Sequence, residues 1–148
     1  MNSLDDLYRE IILDHYRTPR NRGELPPPAV RVEGFNPLCG DEIVVHLAVT
    51  DGVIADIKLT GQGCSISQAS SSLMSAAVKG KSLEQVRAVI SSFKQLMTLE
   101  ESVDQSPANL RSLGEIAALQ GVVKFPVRIK CATLAWNTLA QALDELPS

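Results

Sequence analysis

The chain predicts an α+β domain, a small antiparallel sheet of about three strands covered by helices, and three observations carry that prediction. Glu42 to Val49 and Val53 to Thr60 each alternate apolar and polar residues, and Asp51-Gly52 between them is a strong two-residue hairpin signal. Before and after this hairpin the apolar residues recur at helical rather than strand spacing. The order helix, strands, helices then favours a sheet with its helices gathered on one side.

Ser3 and Asp6, ahead of Leu4, Leu7, Ile11 and His15, predict a capped amphipathic first helix that ends near Tyr16. Thr18-Pro19-Arg20-Asn21-Arg22-Gly23 stops it. The stretch from Arg17 to Val30, with the run Pro26-Pro27-Pro28, reads as a loop that has little to offer a sheet. Val30 to Phe35 alternates with charged neighbours and supplies a third strand. Gly61-Gln62-Gly63-Cys64 breaks the second hairpin strand, so Cys64 sits at a strand-to-helix turn. Ser65 to Val78 is helical and closes on Gly80. Ser82 with Gln85 makes a capping box for the next helix, whose apolar stripe is Leu83, Val86, Ile90 and Phe93. Met97 to Gly121 is polar at first and weakly helical around Leu113 to Leu119. Phe125-Pro126 opens the last helix, where Ile129, Thr133, Trp136, Leu139, Ala140 and Leu143 recur at helical spacing as far as Leu146, with Trp136 in the core.

The 148 residues have the length of one domain, and a domain of that size buries roughly 70% of the surface its unfolded chain exposes. With 45% hydrophobic and 21% charged residues the composition is that of a globular protein, not a disordered one. The net charge of -3 comes from interspersed acids and bases, which leaves no electrostatic footprint for nucleic acid. The opening Met1-Asn2-Ser3-Leu4-Asp5-Asp6 carries acids where a secretory signal carries bases, and no apolar run approaches the ~20 residues that span a bilayer. A single cytoplasmic domain over residues 1–148, with no membrane partner, is the expectation.

Three cysteines are an odd number, widely separated in a chain with no export signal, so a disulfide framework is a poor reading. Cys39 and Asp41 flank Gly40 in a turn ahead of a strand and can reach one ion. The hairpin that leads away from Asp41 returns to Cys64, which brings these groups to the same end. Cys131 lies far along the chain, and spacing does not join it to the others. What favours it is position: Cys64 and Cys131 each stand near the start of a predicted helix, where the dipole and unsatisfied N–H groups lower a thiol's pKa from about 8.5. Three sulfurs and a carboxylate suit tetrahedral Zn²⁺ or an Fe–S cluster. Such a zinc site is doubly negative, so Arg128 or Lys130 is expected beside it as compensation. Asp41 is the harder and more labile ligand of the set, which favours exchange. Each cysteine taken alone reads more readily as a buried small apolar residue than as a ligand, and Asp41 as readily as a turn cap, so spacing leaves both readings open. His15 and His46 read as packed or surface residues rather than ligands.

Leu7-Tyr8-Arg9-Glu10-Ile11-Ile12-Leu13-Asp14-His15-Tyr16, Pro19-Arg20-Asn21-Arg22-Gly23, Asn36-Pro37-Leu38-Cys39-Gly40-Asp41, Gly61-Gln62-Gly63-Cys64-Ser65-Ile66-Ser67 and Lys130-Cys131-Ala132 together resemble the U-type sulfur-transfer and scaffold proteins of iron–sulfur assembly. This is the IscU/NifU N-terminal domain family, and the chain is most similar to its SufU branch. Scaffold members usually carry His immediately before the third cysteine, where this chain has Lys130, and the segment around Met97 to Val123 looks longer than theirs. The resemblance implies Zn²⁺ held by Cys39, Asp41, Cys64 and Cys131, with Cys39 accepting persulfide sulfur from a PLP-dependent, SufS-type cysteine desulfurase. It also implies that a desulfurase His takes the place of Cys39 on the metal and that a downstream Fe–S scaffold receives the sulfur; Arg128 is placed beside the site as a partner for Asp41 when the metal is absent. The alternatives are an IscU-like scaffold that assembles a [2Fe–2S] cluster on the same residues, and a structural zinc-binding interaction domain without sulfur chemistry.

Overall fold

A computed structural model of the protein describes residues 3–37, 40–97, 116, 118–119 and 126–146, with side chains from residue 9 onward and, in the last segment, from residue 127. Cys39 and most of the segment between Met97 and Pro126, where weak helicity is expected, lie outside the described residues. In chain order the elements are α1 (Ser3–Arg17), β1 (Val30–Asn36), β2 (Asp41–Thr50), β3 (Val53–Gln62), α2 (Ser65–Val78), α3 (Leu83–Leu96) and α4 (Pro126–Asp144). The α+β class, the three antiparallel strands and the helices around them match the sequence reading. Boundaries differ from it by one or two residues at several element ends.

The sheet is a meander of order β1-β2-β3. Its β2–β3 hairpin turns at Asp51 and Gly52, whose φ values of 54° and 73° are the left-handed pair that a two-residue turn with the right twist demands. Register puts Val45 between Val32 and Leu59, and Leu47 beside Ile57, so the alternation becomes one apolar face. All five of these side chains are buried, and the helices cover this face. α4 packs across β1 and β2, α2 lies between α4 and α1, and α3 packs on α4. Gly34 permits the close approach of α4. A Cβ there would collide with Thr138 and come within 3.2 Å of Leu134.

Helix α2 is central and rich in serine, because small side chains let neighbours pack on several of its sides while the hydroxyls of Ser70, Ser71, Ser72 and Ser75 find partners. Ser70 donates to the carbonyl of Ala132 at 2.6 Å and accepts from the indole of Trp136 at 3.0 Å, locking α2 to α4. Ser72 lies 2.7 Å from Nδ1 of His15 and accepts the backbone N–H of Arg20 at 2.9 Å, which fixes α1 and the loop that follows it. Phe93 stacks on Trp136 with ring centroids 4.3 Å apart, joining α3 to the same core. His15 is packed as expected.

One expectation is corrected. The loop after α1 does serve the sheet: Leu59 N–H donates to the carbonyl of Asn21 at 2.8 Å, and Gly23 N–H donates to that of Leu59 at 3.0 Å. Asn21 adopts a left-handed φ of 58°, which turns the chain so that Arg22 bridges to Leu59 along the outer edge of β3. A prolines-and-glycines reading misses this because the pairing spans only a few residues and leaves no alternating pattern.

His46 is also packed, but on the other face of β2, between Arg31 and Lys58 in register, and only 4% exposed. Neither ring nitrogen finds a hydrogen-bond partner among the described residues. Leaving such groups unsatisfied costs roughly 1–3 kcal/mol, whereas an apolar side chain of similar shape avoids the cost. His46→Leu is therefore expected to raise the midpoint of thermal unfolding, measured by circular dichroism. An unchanged or lowered midpoint would show that the ring is paired in solution.

Candidate metal centre

The three described residues of the expected ligand set arrive from three elements. Asp41 opens β2 and is fully buried. Cys64 is the N-cap of α2, half-buried, with backbone angles of -70° and 168° that turn the chain from strand into helix. Cys131 lies inside α4 and is fully buried. One ligand atom from each, the two Sγ atoms and a carboxylate oxygen, lie within 4.8 Å of one another. Two sulfurs bound to one tetrahedral zinc at about 2.3 Å stand about 3.8 Å apart, so small side-chain adjustments would seat an ion among these donors. Soft sulfur with one hard oxygen suits zinc or an Fe–S cluster and is a poor set for magnesium or calcium.

Short contacts hold the group. Cys64 N–H donates to Oδ1 of Asp41 at 3.0 Å, tying the start of β2 to the start of α2. Ser67 N–H points at Sγ of Cys64 at 3.4 Å, as a capping donor does. The carboxyl group needs the space at Gly63: a Cβ there would strike Oδ1 of Asp41 and approach its Cγ at 3.0 Å. The expected benefit of a helix start therefore applies to Cys64. It does not extend to Cys131, whose Sγ lies 3.9 Å from the carbonyl of Val127, one turn back within a helix that begins at Pro126. The expectation counted Cys131 with the helix start, whereas it lies more than one turn beyond Pro126.

Arg128 is exposed and faces the sulfurs. Its pKa is raised above the ordinary arginine value first by the charge of Cys64 and a hydrogen bond to it, then by the charge of Cys131. Lys130 is exposed, and among the described residues no hydrogen bond or ion pair of its side chain reaches the ligand atoms. Residues 37–40 join the paired ends Asn36 and Asp41, and Gly40 N–H donates to the carbonyl of Asn36 at 2.9 Å with φ of 69°. Cys39 belongs to this short connection, although it is itself outside the described residues. Sequence reading gave no role to Asn36 or Gly63. Both were signalled, Asn36 by a polar residue on the inward phase of β1, and Gly63 by a second glycine in Gly61-Gln62-Gly63-Cys64.

The model of the NifU-like N terminal domain family matches residues 7–132. The zinc-dependent sulfurtransferase SufU of Bacillus subtilis is 45% identical over 141 residues, which are 95% of this chain and 92% of that protein. The iron–sulfur cluster assembly scaffold protein IscU of Streptococcus pyogenes is 41% identical over 143 residues, 97% of this chain and 86% of that one. Among solved structures, a protein from Fervidobacterium islandicum assigned as an iron–sulfur cluster assembly scaffold for the SUF system superposes with a TM-score of 0.78 at 31% identity, covering 90% of this chain and 94% of its own. An N-terminal NifU-like protein of Brucella abortus has the same fold, with a TM-score of 0.81 at 22% identity over 97% and 96% of the two chains.

Gly63→Ala is expected to push the Asp41 carboxyl out of line and weaken zinc binding by about 10-fold or more. Competition with a chromophoric chelator measures this, and an unchanged affinity would mean that the space at Gly63 is not needed.

Proposed function

The chain belongs to the NifU-like N-terminal domain family, and from that membership and its site we propose that it is a zinc-dependent sulfurtransferase of iron–sulfur cluster biogenesis. The reading rests on one observation: donor atoms of Asp41, Cys64 and Cys131 lie within 4.8 Å of one another, with the short connection that contains Cys39 leading into Asp41. Cys39, Asp41, Cys64 and Cys131 would hold the zinc, which when bound keeps its sulfur ligands deprotonated near neutral pH. The partner is a PLP-dependent cysteine desulfurase of the SufS type, encountered in the cytoplasm, and an Fe–S scaffold takes the sulfur onward.

The chemistry assigned to Cys39 is thiol–persulfide exchange. Its thiolate attacks the terminal sulfur of the desulfurase persulfide, the new S–S bond forms on Cys39, and the old one breaks with its electron pair on the desulfurase cysteine. No net oxidation occurs and no further reagent is needed. Cys64 and Cys131 are fixed by the helices that carry them, Cys64 as the N-cap of α2 and Cys131 within α4, which leaves Cys39 as the thiol to which the transfer is assigned. Arg128, set against both sulfurs, offsets the negative charge that remains on the ligand group.

A second reading, a scaffold for [2Fe–2S] assembly on the same residues, is favoured by the similarity to IscU of Streptococcus pyogenes. Lys130 weighs against it, since an ammonium group is no replacement for an imidazole ligand ahead of Cys131.

The test compares the wild type with Cys39→Ala for metal content and for stimulation of a cognate desulfurase under reducing conditions. The wild type is expected to carry one zinc and accelerate sulfide release severalfold, and Cys39→Ala to lose the stimulation. Bound iron and sulfide with unchanged turnover would establish the scaffold instead, and stimulation that survives in folded Cys39→Ala would leave a structural zinc domain. Asp41→Ala is expected to lose most of its zinc on dialysis against a chelator. Retained metal together with retained activity would remove Asp41 from the ligand set.

A further inference from the structure

The geometry points to Asn36 as a positioning residue of the metal centre, one that aligns Asp41 and Cys131 with each other. This inference rests on the zinc reading above. Asn36 ends β1 directly opposite Asp41, with the two side chains on the same face of the sheet. It follows Val30, Val32 and Gly34 on the inward phase of the strand and is only 7% exposed. A polar amide in such a place costs free energy unless it is hydrogen-bonded, so its partners matter. Nδ2 of Asn36 donates to Oδ2 of Asp41 at 3.5 Å and to Sγ of Cys131 at 4.0 Å.

An amide nitrogen suits this task because it carries two hydrogens, offers no competing lone pair and does not titrate. One side chain therefore addresses the carboxylate and the sulfur together. Both contacts are at the long end of hydrogen-bond reach, so what Asn36 supplies is mainly direction. The carboxyl group is then fixed from two sides: Asn36 holds Oδ2 from β1, and Cys64 N–H holds Oδ1 at 3.0 Å from the start of α2. Each oxygen keeps acceptor capacity toward an ion.

The consequence concerns the moment of sulfur transfer. If Cys39 reacts, Asp41, Cys64 and Cys131 must remain a coherent set without it. Asn36 between Asp41 and Cys131, and the backbone N–H of Cys64 on Asp41, bind that set through protein, and Arg128 reaches both sulfurs from the exposed side. The carbonyl of Asn36 also accepts the N–H of Gly40, so the same residue closes the connection that contains Cys39.

Zinc affinity, read by competition with a series of chromophoric chelators, tests the assignment independently of turnover. Asn36→Ala is expected to bind zinc about 10–100-fold more weakly than the wild type, the range for lost partners of metal ligands. The same substitution is then made in an Asp41→Ala background, where alignment of the carboxylate no longer counts and the loss should be at least threefold smaller. An unchanged affinity in Asn36→Ala, or an equal loss in both backgrounds, would overturn the assignment and leave Asn36 a residue of general structural importance. Asn36→Ser, which keeps a polar group but cannot span both partners, goes through the same cycle in case Asn36→Ala does not fold, with Trp136 fluorescence reporting the fold of each apo protein. A wild type that binds no zinc would defeat the zinc reading itself. Wild-type binding matched by the Asn36 variants would defeat this inference alone.

Discussion

A carboxyl group with no exposure, such as that of Asp41, is costly unless its oxygens find donors, and the layout around the site follows from meeting that need. One donor is the backbone N–H of Cys64 at 3.0 Å, which requires the β2–β3 hairpin to return its far end to its own beginning. The hairpin does so through the two-residue turn at Asp51 and Gly52 and a one-residue register shift between Ala48 and Val49, which together set Glu42 opposite Gln62 rather than Gly61. Close packing at the same point needs Gly63 to lack a side chain. The other donor, Asn36, requires β1 to stop opposite Asp41. A buried carboxyl group thus links sheet register, turn type and the start of α2, and the same links set two of the three described ligand residues beside each other.

Cys131 comes to this place by a separate route. Helix α4 is held on the sheet by the stacked Phe93–Trp136 pair, by Ser70 of α2 and by the close approach at Gly34. None of these contacts involves a ligand, so the position of the third donor is set by core packing. The centre joins a hairpin end to a helix of the hydrophobic layer. Arg128 stands at its exposed side, where a cation can balance sulfur charge and the attraction of Cys64 outweighs its own desolvation.

Much of this was legible from residue order. The hairpin showed because alternation and Asp51-Gly52 agree, and α3 showed because Ser82 and Gln85 form a capping box that the structure contains on both sides. The convergence of Asp41 and Cys64 followed from hairpin closure alone. Cys131 could be joined to them only through family resemblance, since its place depends on packing between α2, α4 and the sheet, which leaves no local pattern. The same limit explains the pairing of Asn21 and Gly23 with β3 and the burial of His46 between Arg31 and Lys58. Asn36 was hidden for another reason: a polar residue at a strand end looks like a turn signal until register sets it opposite a carboxylate.

Zinc K-edge X-ray absorption on the metal-loaded protein reads the ligand set itself, because it counts the atoms around the ion without reference to activity. Ligation by Cys39, Asp41, Cys64 and Cys131 gives three sulfurs at about 2.3 Å and one oxygen at about 2.0–2.2 Å, with one sulfur lost in Cys39→Ala. A first sphere without oxygen, or one that keeps three sulfurs in Cys39→Ala, would contradict it.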